Sequence, residues 1–363
     1  MAFFCLTITV IVYLLFLLSE KSIKQKQISS FLMIIGIIVL TLFIGLRDNP
    51  DIDLDFQSYQ QIILQGSSHY YYEHIELLPR LYINIIHNFG LPYFWWFIMM
   101  AFSLSLPFLI LAKKTDVHKI SIVYLGFIFL YFSFSMNCVR QGVAMMYFLC
   151  AVTYLQENYR KYFILFLIIA FCFHKSSILW SVLLLLSYFR LDSFKSKKIF
   201  IFILITALFC LSLSFAISNI SHILTYIGYG DKINNAIAQT KDIEIGSGLG
   251  ILFRYIRWLL LLIFIPIISE HYNKRFLMQL YLIFIIGMCL DIVTMRTIIL
   301  NRIALYPQMV ELLLYPYLID YTAKLSKGRF LIIRPVLFIQ FLILVFSISK
   351  YFSAWNFQTL HII

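Results

Sequence analysis

The sequence predicts an all-α, polytopic integral membrane protein that forms a single transmembrane domain over residues 1–363. Hydrophobic residues make up 62% of the chain and charged residues only 13%, whereas soluble globular chains carry about 25% charged residues. Apolar runs recur along the whole chain, and each approaches the ~20 residues that a helix needs to cross a hydrocarbon core. No polar stretch between them is long enough to fold as a separate domain.

About twelve transmembrane helices are expected, and some of them are short. The first run lacks the basic flank and cleavage site of a signal peptide, which favours a retained span. Only 28 residues lie between Lys161 and Arg190, although two full crossings need ~40 residues. A polar break, His174 to Ser177, divides this stretch and predicts a broken or re-entrant hairpin. The predicted spans are 2–18, 31–46, 92–112, 120–136, 141–156, 162–173, 177–189, 199–217, 250–268, 277–293, 303–319 and 331–349.

Lysine and arginine set the predicted orientation, because short cytoplasmic loops carry an excess of both. Clusters on alternate connections together hold 13 Lys and 5 Arg, so we place these connections, including 190–198, in the cytoplasm and both termini outside. Two larger segments, 47–91 and 218–249, are then extracytoplasmic, and an amphipathic helix is predicted at 76–90. Because topology accounts for the net charge of +12, no nucleic-acid partner is inferred.

Arginines are unexpectedly frequent on the predicted outer side. The positive-inside rule does not explain them, whereas the planar guanidinium fork suits phosphate or carboxylate groups. We therefore expect the outer face to bind an anionic group near membrane depth, with several of these arginines converging on one cavity. Interface anchoring and pairing with carboxylates are the alternatives. The outer arginines are Arg47, Arg80, Arg140, Arg254, Arg257, Arg296 and Arg302, of which Arg140, Arg254, Arg257 and Arg302 are expected to converge.

Two polar clusters lie close to apolar runs and are candidates for function, because ionisable groups inside a membrane are costly. Asn137 and Arg140 are three residues apart, which would place them on one helix face to grip one ligand. At the hairpin tip, His174 could be a general base or a phosphate contact beside Lys175. A histidine bonded to a backbone carbonyl is the alternative. The serines that follow are expected to cap the second half-helix.

An acidic run, Asp48 to Asp55, follows the second predicted span. Its carboxylates could bind a divalent cation, supply a general base, or belong to a solvated loop in which Asp48 caps a helix. The run lacks the glycine turn and the terminal glutamate of an EF-hand, and the six cysteines show no metal-type spacing. We predict no cofactor and no metal site. Nucleotide-binding and Gly-x-Ser-x-Gly motifs are also absent, which disfavours ATP-driven transport and soluble-type hydrolysis.

The order of these short motifs resembles the EpsG family, a branch of the Wzy-type polysaccharide polymerases. The resemblance covers roughly residues 1–320, and the motif order is more specific than any single motif. One departure is Asp53-Leu54-Asp55-Phe56, which lacks the Gly and the first Tyr of the family pattern and leaves open which Asp corresponds. The matching residues are Arg47, Asp55 and Tyr59; Asn137, Arg140, Gln141 and Ala144; Ala170, Phe173, His174 and Ser176; and Arg302 and Tyr306.

The resemblance implies a glycosyltransferase of the bacterial inner membrane, and a GT-C-like architecture is compatible with it. Such an enzyme joins repeat units carried on undecaprenyl pyrophosphate, on the outer face, into O-antigen, capsule or exopolysaccharide. Its partners would be this lipid-linked oligosaccharide, membrane lipid and a chain-length regulator protein. An O-antigen ligase or other lipid-carrier glycosyltransferase, and a flippase or transporter, are the alternatives. The implied catalytic residues are Arg140, His174, Asp55 and Arg302, and the implied substrate-binding residues are Arg47, Tyr59, Asn137, Gln141, Ser176 and Tyr306. Lys175, Arg254 and Arg257 are further substrate-binding candidates because of their position on the predicted outer side.

Overall fold

The computed structural model describes residues 2–46, 54–114, 119–155, 159–187, 248–272, 275–294 and 298–325. All regular secondary structure in these ranges is helical, which confirms the all-α prediction for this part of the chain. Short 3-10 helices cover Gly66–Ser68 and Tyr72–His74, and a long one covers Lys175–Ser187. The α-helices are α1 (Ala2–Lys21), α2 (Lys26–Gly45), α3 (Leu54–Gln65), α4 (Leu77–Asn88), α5 (Phe94–Lys114), α6 (Ile120–Leu130), α7 (Phe132–Asn137), α8 (Val139–Thr153), α9 (Arg160–Phe173), α10 (Gly248–Tyr272), α11 (Arg275–Thr294), α12 (Ile298–Gln308) and α13 (Glu311–Leu325).

Several predicted features lie outside the described residues. They are the spans 199–217 and 331–349, the cytoplasmic connection 190–198, Arg47 with most of the acidic run, Arg296, and all but the end of the 218–249 segment. The other predicted outer segment is described from residue 54 onward. Its described part contains two α-helices, α3 and α4, and the second confirms the helix predicted at 76–90.

The chain divides into two compact units, each of which is described by itself. Unit 1 comprises Met1–Leu184 and Tyr315–Ile363, and unit 2 comprises Leu185–Leu314. The prediction of one transmembrane domain over the whole chain stays a prediction.

The α8 helix forms the centre of unit 1. Its side chains from Val143 to Val152 are all buried, as expected of a helix that is apolar around its whole circumference. An aromatic cluster fills the space nearer the N-terminal helices, where the ring of Phe16 lies 5.9 Å from Phe108 and 5.3 Å from Tyr124. Arg140, in the first turn of α8, therefore begins the best-buried helix of this unit.

The chain bends sharply just before Arg140. A methyl group added to Gly142 would lie 2.7 Å from the Cα atom of Ser135, although residues seven apart on a straight helix are separated by about 10.5 Å. Cys138, with φ −117° and ψ 62°, separates α7 from α8 at this bend. The prediction that Asn137 and Arg140 share one helix face is therefore wrong, because an i, i+3 spacing cannot reveal a break between the two positions.

The break predicted at His174 is present, but the segment that follows it has a different geometry from the one expected. His174 is extended, with φ −157° and ψ 121°, so the predicted break is confirmed. A 3-10 helix follows in place of the expected α-helix. Its buried residues, Ser177, Trp180 and Leu183, recur every three positions, which is the repeat of a 3-10 helix. At a rise of about 2.0 Å per residue, its 13 residues span about 26 Å, against about 20 Å for an α-helix.

Apolar side chains cover much of the outer surface of the described helices. On α2, Ile34, Ile38 and Leu42 form a stripe of exposed side chains, and Leu259 and Ile263 begin a similar stripe on α10. Soluble proteins rarely expose large contiguous apolar patches. Within the described ranges, α2 and α5 are long and apolar enough to cross a membrane by length and composition. These features support a membrane protein.

Candidate functional site

The Arg140 guanidinium group is the centre of a buried polar cluster in unit 1. Its Nε donates a hydrogen bond to the Tyr59 hydroxyl, and Nη1 donates to Oε2 of Glu76. The ion pair is largely removed from solvent, since the side chains of Arg140 and Glu76 are 17% and 8% exposed. These bonds use only part of the N–H donors of the guanidinium group. Nη2 makes no hydrogen bond to a residue that the structure describes, so Arg140 keeps donors for a ligand.

Packing of aromatic rings fixes the phenol of Tyr59. Its ring stacks on Trp96 with 4.2 Å between centroids and 26° between planes. Trp96 Nε1 in turn donates a 3.2 Å hydrogen bond to the carbonyl oxygen of Pro79. Tyr59 belongs to α3, Pro79 to α4 and Trp96 to α5. The helices α3 and α4 of the predicted outer segment, together with α5, therefore hold Tyr59 in place against Arg140.

Glu76, the other partner of Arg140, was not singled out from the sequence. It directly precedes α4, in an extended conformation. Its Oε1 accepts a 3.4 Å hydrogen bond from the backbone N–H of Lys175, so one carboxylate links Arg140 to the break at His174. The sequence offered one signal for this role: Glu76 is an acid at the start of the predicted amphipathic helix, and it lies on the same predicted outer side of the membrane as Arg140. A buried arginine requires such a partner.

The His174 motif lies beside this cluster through Lys175. His174 is half-buried, and its Nδ1 is 2.7 Å from the Ser176 hydroxyl. The expected capping by Ser177 is not seen, because its hydroxyl is buried with no hydrogen-bond partner among the described residues. The Ser177 backbone N–H instead donates to the His174 carbonyl oxygen at 3.2 Å. The His174 imidazole and the unsatisfied Ser177 hydroxyl thus lie at the start of the 3-10 helix. The first residue of this helix, Lys175, donates its backbone N–H to Glu76.

Unit 2 holds two further arginines, each fixed by a buried carboxylate. Arg254 Nη1 donates to both carboxylate oxygens of Asp291, at 3.2 and 2.9 Å, and Asn301 donates to the same carboxylate at 2.8 Å. Arg257 binds Glu311 through two parallel hydrogen bonds of 3.0 and 3.1 Å. Both acids are fully buried. Carboxylate pairing, left open as an alternative for the outer arginines, is therefore present at both positions.

The remaining sequence-predicted residues have varied surroundings. On α12, Arg302 is exposed while Tyr306 is fully buried; in unit 1, Gln141 is buried, Lys175 is exposed, and Asn137 is exposed at the end of α7. Asp55 belongs to the first turn of α3. In the described ranges, no group of three or more His, Cys, Asp or Glu residues could hold a metal ion.

The structure thus brings together three of the motifs noted in the sequence. Tyr59 binds Arg140, Arg140 binds Glu76, and Glu76 binds the backbone of Lys175 at the His174 break. A comparison with protein-family models gives a match to the EpsG family over residues 30–359. No curated protein and no solved structure matches the chain. Since the family model spans nearly the whole sequence, the chain belongs to the EpsG family, whose members are Wzy-type polymerases.

Proposed function

We propose that this protein polymerises oligosaccharide repeat units carried on undecaprenyl pyrophosphate, on the outer face of the bacterial inner membrane. Family membership supports a polysaccharide polymerase in general terms. The lipid carrier and the course of the transfer are those that the resemblance to this family implies, and a largely buried arginine suits a pyrophosphate group. The observation that carries the proposal is a largely buried Arg140 that two partners hold and that keeps N–H donors for a ligand. One of these partners, Glu76, also binds the backbone of Lys175, the residue next to His174.

The proposed reaction is a glycosyl transfer. The bond between the anomeric carbon of the growing chain and its pyrophosphate oxygen breaks, and that oxygen keeps the electron pair. A bond forms between the anomeric carbon and a hydroxyl oxygen of the next lipid-linked unit, and the hydroxyl proton passes to a base. Arg140 would stabilise the charge that develops on the pyrophosphate. No nucleotide sugar is consumed.

Positioning of Arg140 is the proposed role of Tyr59 and Glu76. Long arginine side chains lose conformational freedom when they bind, and an arginine already fixed by two partners has less to lose. The proton acceptor is proposed to be His174, because a neutral imidazole can take a proton near neutral pH. Asp55 is the other candidate for this role. The Arg302 motif of unit 2 is proposed to contact the substrate.

A multi-pass arrangement in the inner membrane is part of the proposal. Exposed aliphatic stripes on α2 and α10 would face lipid, and the length of the 3-10 helix suits a crossing better than an α-helix of the same 13 residues. The outward orientation of the Arg140 cluster rests on the distribution of lysines. A chain-length regulator is the proposed protein partner.

The phenotype of a strain that lacks this protein separates the proposed function from the alternatives. A polymerase defect removes long glycan chains and retains material with a single repeat unit. Loss of a ligase removes all surface glycan, and loss of a flippase accumulates lipid-linked units in the inner leaflet. We expect the first pattern on glycan gels. Either of the other two would refute the proposal.

A further inference from the structure

The two residues that bound the segment from Tyr59 to Glu76 contact the same arginine. Tyr59 and Glu76 both bind the Arg140 side chain, so the intervening chain forms a loop anchored at the polar cluster. Residues 69–74 of this loop read His-Tyr-Tyr-Tyr-Glu-His. A ligand bound at Arg140 would therefore have these aromatic side chains as neighbours.

Specific contacts hold this loop against α4. Gly66 adopts φ +57° beneath the His87 ring, and His87 Nδ1 lies 3.3 Å from the carbonyl oxygen of Ile63. The Tyr72 hydroxyl donates to Oδ1 of Asn84, and the Arg80 guanidinium lies over the Tyr72 ring at 5.9 Å. Tyr72 thus anchors the loop, whereas Tyr70 and Tyr71 project from it.

The two projecting tyrosines form an exposed aromatic surface. Tyr70 is 85% exposed and Tyr71 is 42% exposed. Their rings contact each other at 6.1 Å between centroids, with His69 4.7 Å from Tyr70 and His74 5.4 Å from Tyr71. Tyr71 is also close enough to Arg140 for an electrostatic interaction. The surface therefore lies near the polar cluster.

We propose that His69, Tyr70, Tyr71 and His74, here called the aromatic loop, bind the saccharide of the lipid-linked substrate. A pyranose ring has an apolar C–H face, which suits an exposed aromatic ring, and a rim of hydroxyls, which suits phenol and imidazole groups. This inference rests on the proposed function, because the pyrophosphate at Arg140 places the first sugar beside Tyr71.

The composition of the aromatic loop argues against lipid as its occupant. The stripes on α2 and α10 consist of isoleucine and leucine with Phe31 on α2, and none of these side chains has a polar atom to satisfy in a membrane. Every side chain of the aromatic loop has a polar edge that needs a hydrogen-bond partner. A saccharide offers such partners and lipid tails do not.

The test compares Tyr70→Ala and Tyr71→Ala with Phe89→Ala. Phe89 directly follows α4 and is 76% exposed, so it is a matched exposed aromatic outside the loop. With purified protein in lipid nanodiscs and lipid-linked repeat units as substrate, each tyrosine variant should raise KM about tenfold, which corresponds to about 1.4 kcal/mol of lost binding. The kcat should change little. Tyr70→Trp, which keeps a stacking face, should stay near wild type, and so should Phe89→Ala.

A second measurement keeps the inference separate from the proposed function. Lipid-free repeat-unit oligosaccharide should give saturation-transfer NMR signals with the wild type and Phe89→Ala, and weaker signals with Tyr71→Ala. This holds even if the wild type fails to polymerise, in which case the proposed function falls and the saccharide site stands. Unchanged KM and binding in both tyrosine variants would overturn the inference. An equal loss in Phe89→Ala would also overturn it, because interfacial anchoring would explain all three variants.

Discussion

The Arg140–Glu76 ion pair is expected to couple strongly in a double-mutant cycle. Both side chains are largely buried, at 17% and 8% exposed, and removal of one partner from a buried pair leaves an uncompensated charge. Glu76→Gln and Arg140→Gln should therefore each reduce the free energy of unfolding by about 3–5 kcal/mol. The double variant removes both charges, so its loss should fall short of the sum by about 2 kcal/mol or more.

Reversible unfolding in mixed detergent micelles can measure this coupling, and the chain offers a matched control. Lys119 and Asp320 form an ion pair at 3.6 Å in the same unit, but their side chains are 28% and 27% exposed. Exposed pairs contribute about 0–1 kcal/mol, so Lys119→Gln and Asp320→Asn should couple weakly. Additive losses at Arg140 and Glu76, or coupling no larger than in the control pair, would refute the view that Glu76 holds Arg140 in a buried site.

The remaining predictions concern catalysis, a unit 2 ion pair and orientation. Arg140→Lys should insert normally yet lose at least about 100-fold in polymerisation, because a point charge cannot replace a planar fork; near-normal glycan ladders would count against it. His174→Gln should bind lipid-linked substrate but not transfer it, and wild-type activity should fall in acid as imidazole becomes protonated; normal polymerisation would leave His174 a structural role. Reversal of a buried pair, Arg257→Glu with Glu311→Arg, should recover part of the expression lost in either single variant, and no recovery would contradict the bidentate contact. A cysteine at Asn235 should be labelled from outside, and cytoplasmic labelling would invert the predicted topology.

Composition and motif order were sufficient to predict the all-α fold, the break at His174 and the family. These features depend on average hydropathy and on local polar residues, which a single sequence shows directly. The geometry after His174 was not predictable in the same way. An apolar run of this length favours an α-helix, and the three-residue spacing of the buried Ser177, Trp180 and Leu183 becomes visible only in the structure.

The partners of the arginines could not be read from the sequence, because they are distant along the chain. Glu76 is separated from Arg140 by 64 residues, and Glu311 from Arg257 by 54. Asn137 and Arg140 show the opposite case. Their close spacing suggested that they share one helix, but the bend at Cys138 places them on different helices. The chemistry of an arginine can therefore be inferred from its type and setting, whereas its carboxylate partner emerges only from the packing.

Reconstituted polymerisation is the most direct test of the proposed function. Lipid-linked repeat units extracted from a deletion strain would be supplied to purified wild-type protein in lipid vesicles, with Arg140→Lys as the site variant and Arg160→Lys, at the start of α9, as the matched control. The proposed function predicts a ladder of multiple repeat units and release of undecaprenyl pyrophosphate with the wild type and the control, and neither product with Arg140→Lys. Movement of intact lipid-linked units across the vesicle membrane without any ladder would contradict it.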